Sequence, residues 1–68
     1  MAQREVLFEF IRVGNSVKVS AFDIQTLTEV SIVGHPRAST ERLKRLALQR
    51  LDYVLAKNRA AKAGGHES

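Results

Sequence analysis

Residues 6–23, VLFEFIRVGNSVKVSAFD, are two β-rich runs on either side of Gly14-Asn15. Gly-Asn between such runs signals a hairpin, because the turns whose twist matches the strands need φ > 0. With Gly14 and Asn15 at the centre of the turn, Val13 faces Ser16 and the pairing runs outward. Arg12 then meets Val17, Phe10 meets Val19 and Phe8 meets Ala21. Side chains alternate between the faces of a strand. This register therefore collects Val6, Phe8, Phe10, Val17, Val19 and Ala21 on one face, and a slip by one residue would scatter them.

Upstream, Met1–Arg4 reads as a frayed lead-in and the first strand begins at about Glu5. The second strand runs from Ser16 to Asp23. Ile24-Gln25-Thr26-Leu27 contains neither Gly nor Pro, but it follows Asp23, whose side chain can cap a turn. Thr28–Val33, TEVSIV, is predicted as a third strand. A four-residue loop at 24–27 pairs Ala21 with Val30 and Val19 with Ile32, on the face that already holds Phe8 and Phe10. Two registers set by different turns thus agree, which predicts a three-stranded antiparallel meander in the order 1-2-3.

Gly34-His35-Pro36 ends the third strand. Ser39 or Thr40 is the predicted helix N-cap, with Glu41 suited to the first turn. The helix should reach Ala61 or Ala63, with Gly64 as its stop. Leu43, Ala47, Leu48, Leu51, Val54 and Leu55 fall on one arc, at the spacing of a buried helical stripe. Arg42, Arg45, Gln49, Asp52 and Arg59 fall opposite. The expected fold class is α+β: a β-β-β-α domain over residues 1–63 with the helix packed on one sheet face. GGHES, residues 64–68, is expected to be a disordered tail.

A chain of 68 residues is one domain. At this size the core is small, and small folds commonly add disulfides, a metal or a partner subunit. There are no cysteines, which excludes disulfides and thiolate metal sites and fits a reducing compartment. No signal-peptide core is seen in MAQREVLF, and no apolar run approaches the length that spans a bilayer. A cytoplasmic protein without membrane association is expected. The net charge of +4 is uneven: residues 1–36 hold three basic and four acidic residues, residues 37–68 eight and three.

Two surfaces could supply burial between copies. The outer sheet face is expected to carry Leu7, Ile11, Val13, Phe22 and Val33 among Glu9, Lys18, Ser20, Glu29 and Ser31, more apolar than a sheet facing water normally is. On the helix, Leu46 and Tyr53 project to one side of the main stripe, seven residues apart as a packed seam requires. Leu7, Ile11, Phe22, Val33, Leu46 and Tyr53 are therefore the candidate interface of a homo-oligomer, with a dimer the simplest form. The bland alternative is a partly wet sheet face, with Leu46 and Tyr53 resting on their own sheet edge.

Little else in the chain suggests chemistry. The only histidines are His35, in a loop, and His66, in the tail, and both read as surface histidines without partners. No local motif pairs a nucleophile with a base. Glu9 and Glu29 could be imagined as paired carboxylates, but read more simply as solvated strand residues. The glycines at 14, 34, 64 and 65 form no phosphate-cradling loop. A non-enzyme with no cofactor, metal or small-molecule substrate is expected. For nucleic acid the candidate surface is Arg37, Arg42, Lys44 and Arg45 at the helix start, where basic side chains and amide groups can meet phosphates. A solvated Lys/Arg-rich helix face accounts for the same residues.

The runs VLFEFIRVGNSVKVSAFD and TEVSIVG, followed by a Leu/Arg-rich helix ending LDYVLAKN, resemble a family of short alphaproteobacterial proteins classed as a domain of unknown function. The resemblance spans about residues 5–58 and implies no assigned activity and no functional residues. Arg12-Val13-Gly14-Asn15-Ser16 is similar to the turn of swapped-hairpin DNA-binding domains of antitoxins and transition-state regulators. There the hairpin leads into an Ile-Pro-Lys-type step, where this chain has Ser20-Ala21-Phe22-Asp23. The element order is also that of the last four elements of double-stranded-RNA-binding domains. Their first helix and their Lys-Lys-x-x-Lys run are missing, Glu41-Arg42-Leu43-Lys44-Arg45 standing in place of the latter.

Overall fold

Gly14 takes φ 58° and Asn15 keeps a negative φ, the pattern of a type II′ turn, in which only the first central residue is left-handed. The turn joins β1 (Val6–Val13) to β2 (Ser16–Asp23). The register is the expected one: Val13 opposes Ser16, Phe10 opposes Val19 and Phe8 opposes Ala21. Arg12 Nε donates to the Gly14 carbonyl at 3.1 Å, folding the guanidinium back over the turn. The structure is a computed structural model that describes residues 5–63, with side chains up to residue 61. The expected lead-in at 1–4, the tail at 64–68 and His66 lie outside the described residues.

The second connection is built on Asp23. Its Oδ1 accepts from the Gln25 N–H at 2.9 Å and the Thr26 N–H at 3.1 Å, the side-chain turn cap its position suggests. Leu27 closes the loop at φ 58°, a conformation that costs a side chain about 1–2 kcal/mol. β3 (Thr28–Gly34) follows, with Ala21 opposite Val30 and Val19 opposite Ile32. The sheet order is β1-β2-β3. β3 runs one residue further than predicted because Gly34 still pairs with Val17.

His35 accepts the Arg37 N–H on Nδ1 at 3.0 Å, and its carbonyl accepts the Ala38 N–H at 3.0 Å. The expectation that His35 has no partner is therefore corrected: its ring fastens the turn around Pro36. Ser39 is the cap of α1 (Thr40–Ala63), its Oγ accepting the Arg42 N–H at 3.1 Å.

α1 lies on one face of the sheet, against β3 and β2. The core is Val19, Ala21, Leu43, Ala47 and Leu51, with Phe8, Val17, Val30, Ile32, Leu48 and Leu55 half-buried around it. Gly34 permits the close approach: a Cβ there would collide with Leu43 Cδ2. The expectation that the helix covers the whole inner face is corrected at Phe10, which is 40% exposed. A helix with its side chains is about 10–12 Å across and strands lie about 4.8 Å apart. One helix seated over β3 and β2 therefore reaches β1 only in part: Val6 and Phe8 pack against the core, and Phe10 is left open.

Candidate interaction surfaces

Among the described residues four of the nine exposed large hydrophobic side chains lie on β1; the others are Ile24 and Leu27 in the β2–β3 connection, Val33 on β3, and Leu46 and Tyr53 on α1. On its outer face Leu7 and Val13 are 58% and 55% exposed, and Ile11 is exposed between them; on its inner face so is Phe10. The register sets the outer face in rows: Leu7, Phe22 and Glu29; Glu9, Ser20 and Ser31; Ile11, Lys18 and Val33. Phe22 is half-buried beside Leu7, whereas Val33 is separated from Ile11 by Lys18 and stands exposed at the opposite edge. The expected apolar outer face is therefore mainly a β1 column with Phe22 added. Glu9 and Glu29 sit in different rows and do not form a directly opposed pair.

β1 is also an edge strand. Opposed residues of an antiparallel pair alternate between hydrogen-bonded and non-bonded sites. Val13 and Ser16 close a two-residue turn, so Leu7, Glu9, Ile11 and Val13 turn their amides toward β2. The Glu5 carbonyl, accepting from Ile24 N at 3.3 Å, keeps the same parity. Val6, Phe8, Phe10 and Arg12 consequently turn their N–H and C=O groups to the free edge. At the other edge β3 presents Glu29, Ser31 and Val33 in the same way.

On the helix, Leu46 and Tyr53 are both exposed, so neither is sealed against its own sheet. The Lys57 ammonium lies 6.0 Å from the Tyr53 ring centroid. The basic residues of the helix start divide. Arg42 and Arg45 line one shallow depression together with Ser39, Glu41 and Leu46. Lys44 points the other way, its Nζ 5.4 Å from the Phe8 ring centroid, a cation–π contact that covers the inner face near β1. Arg37 is exposed on the loop before the helix.

One cleft has no counterpart in the expectations drawn from sequence. It opens over about 880 Å³ between the β2–β3 turn and the C-terminal half of α1, with Asp23, Thr26, Thr28, Asp52, Asn58 and Arg59 among its walls. Its parts come from residues about thirty positions apart, and no local motif announces it. Among the described residues there is no group of three or more His, Cys, Asp or Glu that could hold a metal ion. No described helix is long and apolar enough to cross a membrane.

A family model matches residues 3–58, and its family is described as a domain of unknown function, DUF6898. The chain belongs to that family. No curated protein and no solved structure matches it.

Proposed function

With membership of a domain family of unknown function as the premise, we propose that the chain is a non-catalytic cytoplasmic module that self-associates, as a dimer, and acts through protein–protein contacts. The observation that carries this is the imbalance of apolar burial. Among the described residues five hydrophobic side chains are buried, two of them alanines, while nine large ones are exposed. Single exposed apolar residues are ordinary, but a cluster on one strand marks an interaction surface. The absence of cysteine removes disulfides as the compensating device and supports the assignment to a reducing compartment. Sedimentation at micromolar concentration should give the mass of two chains; a fully stable monomer at that concentration would refute the reading.

A second reading is favoured by one placement, Arg42 and Arg45 side by side at the helix start. It makes the domain a nucleic-acid binder, held by phosphate contacts rather than base recognition. It predicts retention on mixed DNA and RNA at low salt, lost with rising salt and in the Arg42→Glu/Arg45→Glu variant. No retention of the unaltered chain at low salt removes it. Glu41 in the same depression weakens its field, which is why this reading ranks second.

A further inference from the structure

We infer that the partner surface is the free edge of β1, and that its occupant is β1 of a second copy, running antiparallel about a two-fold axis at Phe10. The inference rests on the self-association reading and specifies where that association takes place. Three observations carry it.

The first is what the edge requires. Val6, Phe8, Phe10 and Arg12 present main-chain donors and acceptors with no strand beside them. An extended segment satisfies such a row, whereas a helix does not. The second is the missing protection. β1 has no Pro, no Lys and no break in its register over Val6–Val13, and these are the usual guards of an exposed edge. The charged side chains of β1 are Glu9 and Arg12, while β3, with Glu29 on its outer side, ends at Gly34 two residues before Pro36.

The third is self-complementarity, which selects one register. With the strands antiparallel and the free-edge amides in line, two registers give the longest overlap within Val6–Val13. One is centred on Glu9 and sets that carboxylate opposite its own copy, which is destabilising. The other is centred on Phe10. It pairs Phe10 with the partner's Phe10 and places Phe8 opposite the partner's Arg12, so that the guanidinium meets an aromatic ring. On the outer face it sets Leu7 against the partner's Val13 and Glu9 against the partner's Ile11. Only this register opposes apolar to apolar at the two most exposed outer residues of β1 and moves the two Glu9 carboxylates from direct opposition to a diagonal. Two three-stranded sheets then become one antiparallel sheet of six strands, with both helices on the same side.

The test uses the full chain, whose lack of cysteine makes introduced thiols the sole ones. Leu7 and Val13 are exposed, so replacing them leaves the fold in place. In the inferred register they oppose each other across the two-fold. Leu7→Cys/Val13→Cys should therefore oxidise to a covalent dimer, while either single variant should not. Each single thiol would lie six residues from its copy, about 20 Å along the strand, beyond the roughly 4.4–6.8 Å that a disulfide spans between Cα atoms. In sedimentation, Leu7→Lys/Val13→Lys should be a monomer with an unchanged circular dichroism spectrum. Leu7→Glu/Val13→Lys should be a dimer again, its opposed charges now complementary.

If the unaltered chain is a dimer but Leu7→Lys/Val13→Lys remains one, the β1 assignment is overturned and self-association stands on another surface. The assignment fails in the same way if Val33→Cys, on the other edge, cross-links and Leu7→Cys/Val13→Cys does not. If the unaltered chain is a monomer, the self-association reading itself fails.

Discussion

Gly34 lies directly against Leu43 of the helix, and a single methyl there tests the packing. Gly34→Ala places a Cβ into Leu43 Cδ2, with Leu43 Cγ and Cδ1 at 3.7 and 3.9 Å. Cδ2 is the end of a side chain and could swing away if it were free. Leu43 is instead buried in the cluster with Val19, Ala47 and Leu51, and close-packed interiors leave little room for a side chain to shift. Overpacking of this kind costs about 1–3 kcal/mol. Gly34 is not in the left-handed region, so alanine is compatible with its backbone and returns about 0.4–1 kcal/mol through the unfolded chain. The net expectation is a loss of about 1–2 kcal/mol, or roughly 4–16 °C in Tm for a domain of this size.

Leu43→Val removes the colliding atom and by itself costs about one buried methylene, roughly 1 kcal/mol. In that background Gly34→Ala should be neutral or stabilising, giving a coupling of about 1–2 kcal/mol between the two sites. Urea denaturation followed by circular dichroism, at one fixed chain concentration so that the proposed self-association cannot differ between samples through mass action, measures all four corners of the cycle. The reasoning fails if Gly34→Ala costs nothing in the native background. It fails equally if its cost is the same with leucine and with valine at position 43.

Three further outcomes follow from the turns and the inner face. Asp23 is 3% exposed and holds two backbone N–H groups on one oxygen. Asp23→Ala should therefore lose roughly 2–4 kcal/mol, at 1.5–3 for each bond to a charged group before partial relaxation; Asp23→Asn keeps an acceptor and should lose much less, both read by urea denaturation. Leu27, exposed at φ 58°, should gain up to about 1 kcal/mol on replacement by Asn, which tolerates the left-handed region better. A fall in thermal midpoint would refute that account of the loop. Lys44→Met should leave the Phe8 ring covered while removing the charge, for a loss of about 0.5–1 kcal/mol; a loss well above this would mean that Lys44 has a structural role beyond the ring contact.

The hairpin was legible because two signals agreed. Gly14-Asn15 set a register by turn length, and the alternation from Val6 to Ala21 set the same one by burial. The third strand was legible by the same test at Val30 and Ile32. Side-chain chemistry narrowed the helix cap to Ser39 or Thr40, and the hydrogen bond from Arg42 N–H selects Ser39. Phe10 lies on the expected face opposite Val19, but its exposure was not legible, because periodicity shows which face a residue is on, not how much of that face a helix covers. His35 was read as idle because nothing local distinguishes a loop histidine that accepts a backbone N–H from one that does not. The split of Lys44 from Arg42 and Arg45 was available from helical spacing, since successive residues turn about 100° apart, but sequence proximity grouped them. Leu27 carries no signal at all, glycine and asparagine being the residues that announce a positive φ.

The position of Gly34 also bears on why apolar surface stays open on β1, which carries four of the nine exposed large hydrophobic side chains among the described residues. The helix follows β3 after a short link and must start beside it. The missing Cβ at Gly34 lets Leu43 sink against that strand, so α1 is anchored over β3 and β2 from its first turn. Val6 and Phe8 of β1 still pack against this core, and the cover ends at Phe10. A bulkier residue at position 34 would lift the helix start and weaken the contact that seats its first turn. The approach that completes the core around Leu43, Ala47 and Leu51 therefore leaves Phe10 open on one face of β1. No element in the described residues lies on the other face to cover Leu7, Ile11 and Val13. A strand exposed on both faces and along its edge is covered most completely by another strand, and β1 of a second copy supplies one whose pattern matches.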